Sequence, residues 1–173
     1  GRDLLISALD AGSPVLEAQG SAAWEEAWRL LLVMQGERTG INIFPLLDRP
    51  LAQVIGAVDR NAGKQSLIMS AAGTMPGALH VLWRAAQGNY HMEYGFSCMG
   101  YEIAGAMGIK MALPQRDVVC FVGDGSYMMA NSELATAVMM GIPFTVVLTD
   151  NRGYGCINRL QKATGGAPFN NML

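Results

Sequence analysis

The sequence predicts an α/β fold, a doubly wound parallel sheet with helices on both faces, and three observations carry that prediction. Residues 66–70 (SLIMS), 117–122 (DVVCFV) and 144–149 (FTVVLT) are strand-length runs dominated by apolar residues, as strands buried on both faces require. Segments with helical periodicity fill the stretches between them. The last two runs each end in a loop rich in Gly, Asp and Asn, on the edge where open parallel sheets collect their ligands.

Two units are expected along the chain. Residues 1–44 read as a helical connecting segment from a preceding domain. Ser21 is a candidate N-cap there, and Trp24, Ala27, Trp28, Leu31 and Leu32 recur at helical spacing until residues 36–40 break the pattern. Residues 45–173 read as the α/β unit. Asp48-Arg49-Pro50 offers a cap and an early proline to a helix carrying Leu51, Val54, Ile55 and Val58 as far as Gly63. After the strand at 66–70, the small-residue turn 71–76 leads into a helix expected to end near Gln87-Gly88. Residues 90–95 form a second extended piece, followed by a helix from Met99 to about Ala112. That helix has Gly100, Ala104, Gly105 and Gly108 on one side, which permits close packing on a sheet or a ligand. After the strand at 117–122, residues 126–140 contain the next helix, stopped by Gly141 and Pro143.

Composition limits the classes of function. Of 173 residues, 51% are apolar and 15% charged, which suits a single well-packed core. A net charge of −2 offers no electrostatic basis for binding nucleic acid or an anionic membrane, and the apolar runs are far too short to span a bilayer. Three cysteines without a CxxC spacing suit a reducing compartment, so a cytoplasmic protein is expected. The twelve methionines read mostly as core filler. A start without Met or a signal-peptide pattern, and a stop at Leu173 just after a Gly- and Asn-rich loop, suggest a unit truncated at its C-terminus.

The chemistry concentrates in the two loops after the later strands. Gly123-Asp124-Gly125-Ser126 follows the first, and Asp150-Asn151-Arg152-Gly153-Tyr154-Gly155 follows the second. Glycines allow a tight turn and close backbone approach, and a helix start offers unpaired N–H groups to phosphate oxygens. Asp124 supplies one hard carboxylate, Asn151 an amide oxygen, and the Asn-Arg-Gly turn a carbonyl. Such oxygens, together with two phosphate oxygens, suit Mg²⁺ or Ca²⁺. A lone Gly-Asp-Gly is also ordinary turn chemistry. The longer string is more specific: apolar strand, Gly-Asp-Gly, helix, Gly-Ile-Pro, apolar strand, then Asn-x-Gly-Tyr, with Asp124 and Asn151 lying 27 positions apart.

That string resembles the cofactor-binding motif of the thiamine-diphosphate (TPP) enzyme superfamily, which includes acetolactate synthase and pyruvate decarboxylase. The resemblance implies the diphosphate-binding (PP-type) domain of the thiamine-diphosphate-binding fold, with thiamine diphosphate and Mg²⁺ as cofactors. It assigns Asp124, Asn151 and the backbone carbonyl of Gly153 to the metal. Gly125 and Ser126 match the turn that holds the diphosphate, Gly123 and Tyr154 are also assigned to cofactor binding, and the Gly73-Thr74 turn matches a loop that touches the diphosphate in relatives. Ser97-Cys98-Met99-Gly100 is similar to the segment supporting the aminopyrimidine. Met99 matches the residue wedged between the cofactor's two rings, and the carbonyl of Ser97 stands where relatives often have Gly.

The stretch YHMEYGFSCMGYEIAG (90–105) is more distinctive and, with the string that follows, is similar to the trihydroxycyclohexane-1,2-dione hydrolase family of myo-inositol catabolism. This implies a cyclic diketone substrate opened to 5-deoxyglucuronic acid by hydrolysis of a carbon–carbon bond. It also implies a homo-oligomer, in which a pyrimidine-binding domain of the same or a neighbouring subunit supplies the activating Glu. No catalytic residue is therefore assigned on this chain. His91 and Glu93 could face substrate or bond to nearby backbone. Two alternatives stay open: an acetolactate-synthase-like or decarboxylating enzyme acting on a 2-oxo acid, and a Rossmann-like nucleotide-binding module. The second would want a GxGxxG after the first strand, which residues 71–77 do not supply.

Overall fold

A computed structural model describes residues 42–47, 51–84, 88–93 and 95–172. The helix expected around Ser21–Leu32 lies outside these residues. Among them, strands β1 (Asn42–Leu47), β2 (Leu67–Ser70), β3 (Tyr90–Met92), β4 (Val118–Gly123) and β5 (Thr145–Asp150) form one parallel sheet in the order β1-β5-β4-β2-β3. The helices are α1 (Leu51–Asn61), α2 (Met75–Leu82), α3 (Tyr101–Ala112), α4 (Asp124–Met129), α5 (Glu133–Met140) and α6 (Gly155–Ala163).

Successive side chains of a strand point to opposite faces, so an all-apolar strand feeds two cores. Val118, Cys120 and Val122 of β4 join Met69, Val146 and Leu148 on one face, where α3 and α5 contribute Ile103, Ala106 and Ala137. Val119 and Phe121 join Ile68 and Val147 on the other, covered by Val54, Ile55 and Val58 of α1 and Leu79 of α2. Each Val, Leu, Ile, Phe or Met among them contributes about 1.5–3 kcal/mol when fully buried. The doubly wound arrangement follows directly.

It also places the site. The chain leaving β2 turns to α2 on one face, and the chain leaving β4 turns to α5 on the other. β2 and β4 are neighbours, with Leu67 opposite Val118 and Met69 opposite Cys120. Their carboxyl ends thus flank a topological switch point, the kind of place where open α/β sheets bind their ligands.

Four details differ from expectation. Residues 42–44, assigned above to a helical connection, are strand. Among the described residues β1 is an edge strand that pairs with β5, a position that tolerates Pro45. The helix expected within 126–140 is two helices, because Asn131 and Ser132 lie in a turn that restarts the ladder through Leu134 N–H to Asn131 O and Ala135 N–H to Ser132 O. Helix α2 starts at Met75, inside the expected turn, with its proline in the first turn, and stops at Leu82 where Trp83 becomes extended. The methionines are mostly not core: Met69 and Met75 are buried, whereas Met111, Met128, Met129, Met139, Met140 and Met172 are exposed.

Candidate functional site

β4 ends at Gly123 and passes without a spacer into α4, so Asp124, Gly125 and Ser126 form its first turn. β5 ends at Asp150 and gives the loop 151–154 before α6. Because Gly123 pairs with Thr149, the two loops emerge side by side. Gly153 N–H donates to Asp124 Oδ2 at 2.6 Å. The inward terminal atom of the Asn151 amide lies 2.8 Å from Gly153 O and 3.3 Å from Asp124 Oδ1. Turned nitrogen-inward, the amide donates to both oxygens. Turned oxygen-inward, it completes a set of three oxygens. Adjacent ligands of an octahedral Mg²⁺ at 2.0–2.1 Å stand about 3 Å apart, so this spacing suits a hard cation.

The loop around Gly153 is held by the end of the described chain. Tyr154 N–H donates to Asn171 O at 2.6 Å, and Gly153 bridges Met172. Gly153 has φ +143°, and a Cβ there would meet Asn171 O at 2.2 Å. Gly125 is required by a different neighbour, since a Cβ on it would lie 2.7 Å from the Tyr154 ring. Tyr154 therefore buttresses the start of α4. Asp150 shapes the same loop by accepting from Arg152 N–H at 2.8 Å, which supports the left-handed φ of +59° at Arg152.

Burial pushes the Asp124 carboxyl above the usual aspartate range; the charge of Asp150 adds to the rise, and the Gly153 and Gly125 N–H groups oppose it. A carboxylate both desolvated and faced by a second acid is one that a divalent cation would relieve.

The loop after β3 holds the second group of candidates. Ser97 has φ +52°, in the left-handed region that favours glycine, which gives a physical meaning to its departure from the family pattern. Glu93 bridges this loop, accepting from Phe96 N–H at 2.9 Å and Cys98 N–H at 2.8 Å. These bonds, that to Cys98 foremost, hold its carboxyl below the usual glutamate range. Glu93 thus bonds to backbone, one of its two expected roles. His91 stacks on Tyr101 with ring centroids 6.3 Å apart. Met99 is half-buried at the start of the turn into α3, and Gly100 N–H donates to Ser126 Oγ at 2.9 Å. That bond joins the Ser97–Gly100 segment to the Gly123–Ser126 segment. Gly73 and Thr74 lie exposed on the loop after β2, where Arg159 of α6 donates to Thr74 Oγ1. No described bond joins Gly73 or Thr74 to the three-oxygen set.

Sequence reading passed over Glu102. It lies on α3 beside Ile103 and Ala106, facing the core, and is 1% exposed. Its carboxylate accepts from Ser126 Oγ, Gly100 N–H and Ala72 N–H. The available signal was a single acid on the apolar stripe of a helix. Ser126 is correspondingly buried with its hydroxyl committed inward, which leaves only its backbone to face a ligand.

The loops after β4 and β5 bring together a mixed oxygen set and glycine-lined turns, an arrangement whose chemistry suits a phosphorylated group held through a divalent cation. Residues 71–172 match the family described as the thiamine pyrophosphate enzyme, C-terminal TPP binding domain, and the chain belongs to that family. Its cofactor is thiamine pyrophosphate, for which Mg²⁺ is the usual partner metal. The chain is 41% identical over 173 aligned residues to 3D-(3,5/4)-trihydroxycyclohexane-1,2-dione hydrolase of Geobacillus thermodenitrificans, covering 91% of this chain and 27% of that protein. It is 49% identical over 117 residues to the Bacillus anthracis protein of the same name, covering 67% of this chain and 18% of that one. The chain thus spans about a quarter of the length of these relatives, or less. A solved benzoylformate decarboxylase from Polynucleobacter necessarius shares the fold at TM-score 0.64 and 18% identity, over 72% of this chain and 24% of that one. Among the described residues, no helix is long and apolar enough to cross a membrane.

Proposed function

We propose that this chain supplies the diphosphate- and metal-binding half of the active site in a cytoplasmic, homo-oligomeric enzyme that hydrolyses a carbon–carbon bond of trihydroxycyclohexane-1,2-dione. The observation that carries the cofactor half of this reading is the convergence of Asp124 Oδ1, the Asn151 amide and Gly153 O at spacings of 2.8 and 3.3 Å. The substrate half is supported by the names of the relatives and by the 90–105 segment.

Asp124, Asn151 and the Gly153 carbonyl would hold Mg²⁺. The backbone of Gly123, Gly125 and Ser126 would hold the diphosphate, with Tyr154 fixing the turn and the Gly73-Thr74 loop closing over it. Ser97 would offer its carbonyl to the aminopyrimidine amino group, and Met99 would support the bend between the two rings. When bound, thiamine pyrophosphate supplies a carbon nucleophile that also accepts the electron pair released as the carbon–carbon bond breaks. The residues of this chain bind and orient that group. The activating Glu is expected from a pyrimidine-binding domain of the same or a neighbouring subunit, so the 173-residue chain alone should show no turnover.

The test uses the full-length protein. Calorimetry should show binding of thiamine pyrophosphate that requires Mg²⁺ and is lost in Asp124→Ala. Turnover should be measurable with the cyclic dione and absent with pyruvate. Cofactor binding without need of Mg²⁺ or Asp124 would overturn the site assignment, and turnover of pyruvate alone would overturn the substrate.

A further inference from the structure

We propose that Glu102 is a positioning residue for the cofactor: its buried carboxylate fixes the spacing between the segment that takes the diphosphate and the segment that takes the aminopyrimidine. The inference rests on the cofactor reading above and goes beyond it, because Glu102 touches neither the metal-competent oxygens nor any group assigned to the cofactor by sequence except Ser126.

Glu102 gathers three segments that are remote in sequence. Oε1 accepts from Ala72 N–H, on the loop after β2, at 3.3 Å. Oε2 accepts from Gly100 N–H, directly after Met99, at 3.0 Å. Both oxygens lie within reach of Ser126 Oγ, at 2.8 and 2.9 Å, two residues beyond Asp124. Gly100 N–H also reaches Ser126 Oγ at 2.9 Å, closing the network on itself. Gly100 is wedged against α4 as well, since a Cβ on it would meet the Cβ atoms of Met129 and Ala130 at 3.2 Å.

The chemistry of the node calls for a carboxylate. Every group facing it is a donor, and a carboxylate is the one side-chain end of this size that only accepts. A glutamine of the same shape would turn an NH₂ group toward at least one of these N–H or O–H groups, leaving buried donors unpaired. Among the described residues the carboxyl group makes no ion pair, and three separate donors meet it.

The consequence is geometric. A cofactor gripped at two ends gains affinity over its parts only when the grips stand at a fixed distance. Loosening the node leaves each grip intact and lets the distance vary. Whole-cofactor binding then suffers while binding of one end alone does not, a pattern that general destabilisation of the site cannot produce.

The experiment titrates full-length wild type and Glu102→Gln with two ligands, each with Mg²⁺: thiamine pyrophosphate and inorganic pyrophosphate. The variant should bind thiamine pyrophosphate at least tenfold more weakly and pyrophosphate within twofold of wild type. The near-ultraviolet circular dichroism of the bound aminopyrimidine should change in parallel. Glu102→Asp, whose shorter carboxylate cannot reach all three donors at once, should show the same pattern and decides the matter if Glu102→Gln does not fold. Equal losses for both ligands would make Glu102 a packing residue and overturn the proposal, as would unchanged affinity for both. Wild-type protein that binds neither ligand would instead sink the cofactor reading, and the proposal with it.

Discussion

Replacing Gly153 by alanine perturbs the backbone that carries a proposed metal ligand, and its cost can be worked out from the structure. At φ +143° an L-residue is strained, which costs about 1–3 kcal/mol. The added Cβ would lie 2.2 Å from Asn171 O and 2.8 Å from Met172 Cα, both backbone atoms without rotamers to yield. Non-bonded contacts settle near 3.5 Å, so the 170–172 segment must retreat by roughly 1 Å or more. That retreat breaks the 2.6 Å bond from Tyr154 N–H to Asn171 O, worth about 0.5–1.5 kcal/mol. The sum is about 1.5–4.5 kcal/mol. The same movement displaces the Gly153 carbonyl, and Mg²⁺ tolerates little departure from octahedral ligands at 2.0–2.1 Å. Gly165→Ala is the matched control. Its φ is +82°, but a Cβ there meets nothing within 4 Å, so it should cost only the left-handed strain of about 1–2 kcal/mol. Denaturant unfolding and calorimetry on the full-length protein should find Gly153→Ala the less stable variant. Its Mg²⁺-dependent affinity for thiamine pyrophosphate should fall on the order of 100-fold, as expected for loss of a metal ligand and its turn. Gly165→Ala should keep wild-type affinity. Wild-type affinity in Gly153→Ala would refute the assignment of its carbonyl to the metal.

Two further outcomes are expected. The Asp124 carboxyl is raised chiefly by burial, so its ionised form costs the metal-free fold stability at pH above that raised value, and the cost fades as pH falls through it. Metal-free Asp124→Asn should therefore unfold at the same temperature as wild type near neutral pH, or higher, while losing the Mg²⁺–cofactor stabilisation; that gain is about 2.7 kcal/mol for wild type at a hundredfold excess over Kd. A metal-free variant clearly less stable than wild type would contradict this. Ser97 holds a left-handed conformation, so Ser97→Gly should be neutral to stabilising by about 0.5–1 kcal/mol with cofactor affinity unchanged, because the proposed cofactor contact uses its backbone carbonyl and not its side chain. A thermal scan that shows a loss would point to an unrecognised role for the serine side chain.

Local signals were sufficient for part of the molecule. Strands β2, β4 and β5 were legible because a strand covered on both faces must be apolar at nearly every position, and helix α1 because its four core residues keep helical spacing. The Gly-Asp-Gly and Asn-x-Gly-Tyr loops could be placed at one edge because parallel strands open their carboxyl ends together. The break between α4 and α5 was legible in principle, in the adjacent Asn131 and Ser132, but the apolar periodicity outweighed it. The methionines misled because apolar character alone does not say which face of a helix meets the sheet.

The amino-acid sequence by itself determined the class of fold, the two loops proposed to hold the cofactor and the family to which the chain belongs, since each is written in residues close together along the chain. Tertiary structure alone decided the rest. β1 is a strand because β5, a hundred residues later, offers it a ladder, with Asn42 opposite Thr145. Gly153 and Gly125 are required because Asn171 and Tyr154 stand where a Cβ would go. Glu102 ties three segments together because Ala72 and Ser126, 30 and 24 positions away, bring their donors to its carboxylate. A hydrogen bond or a steric contact is a relation between atoms in space, and packing, not local pattern, sets which of them meet.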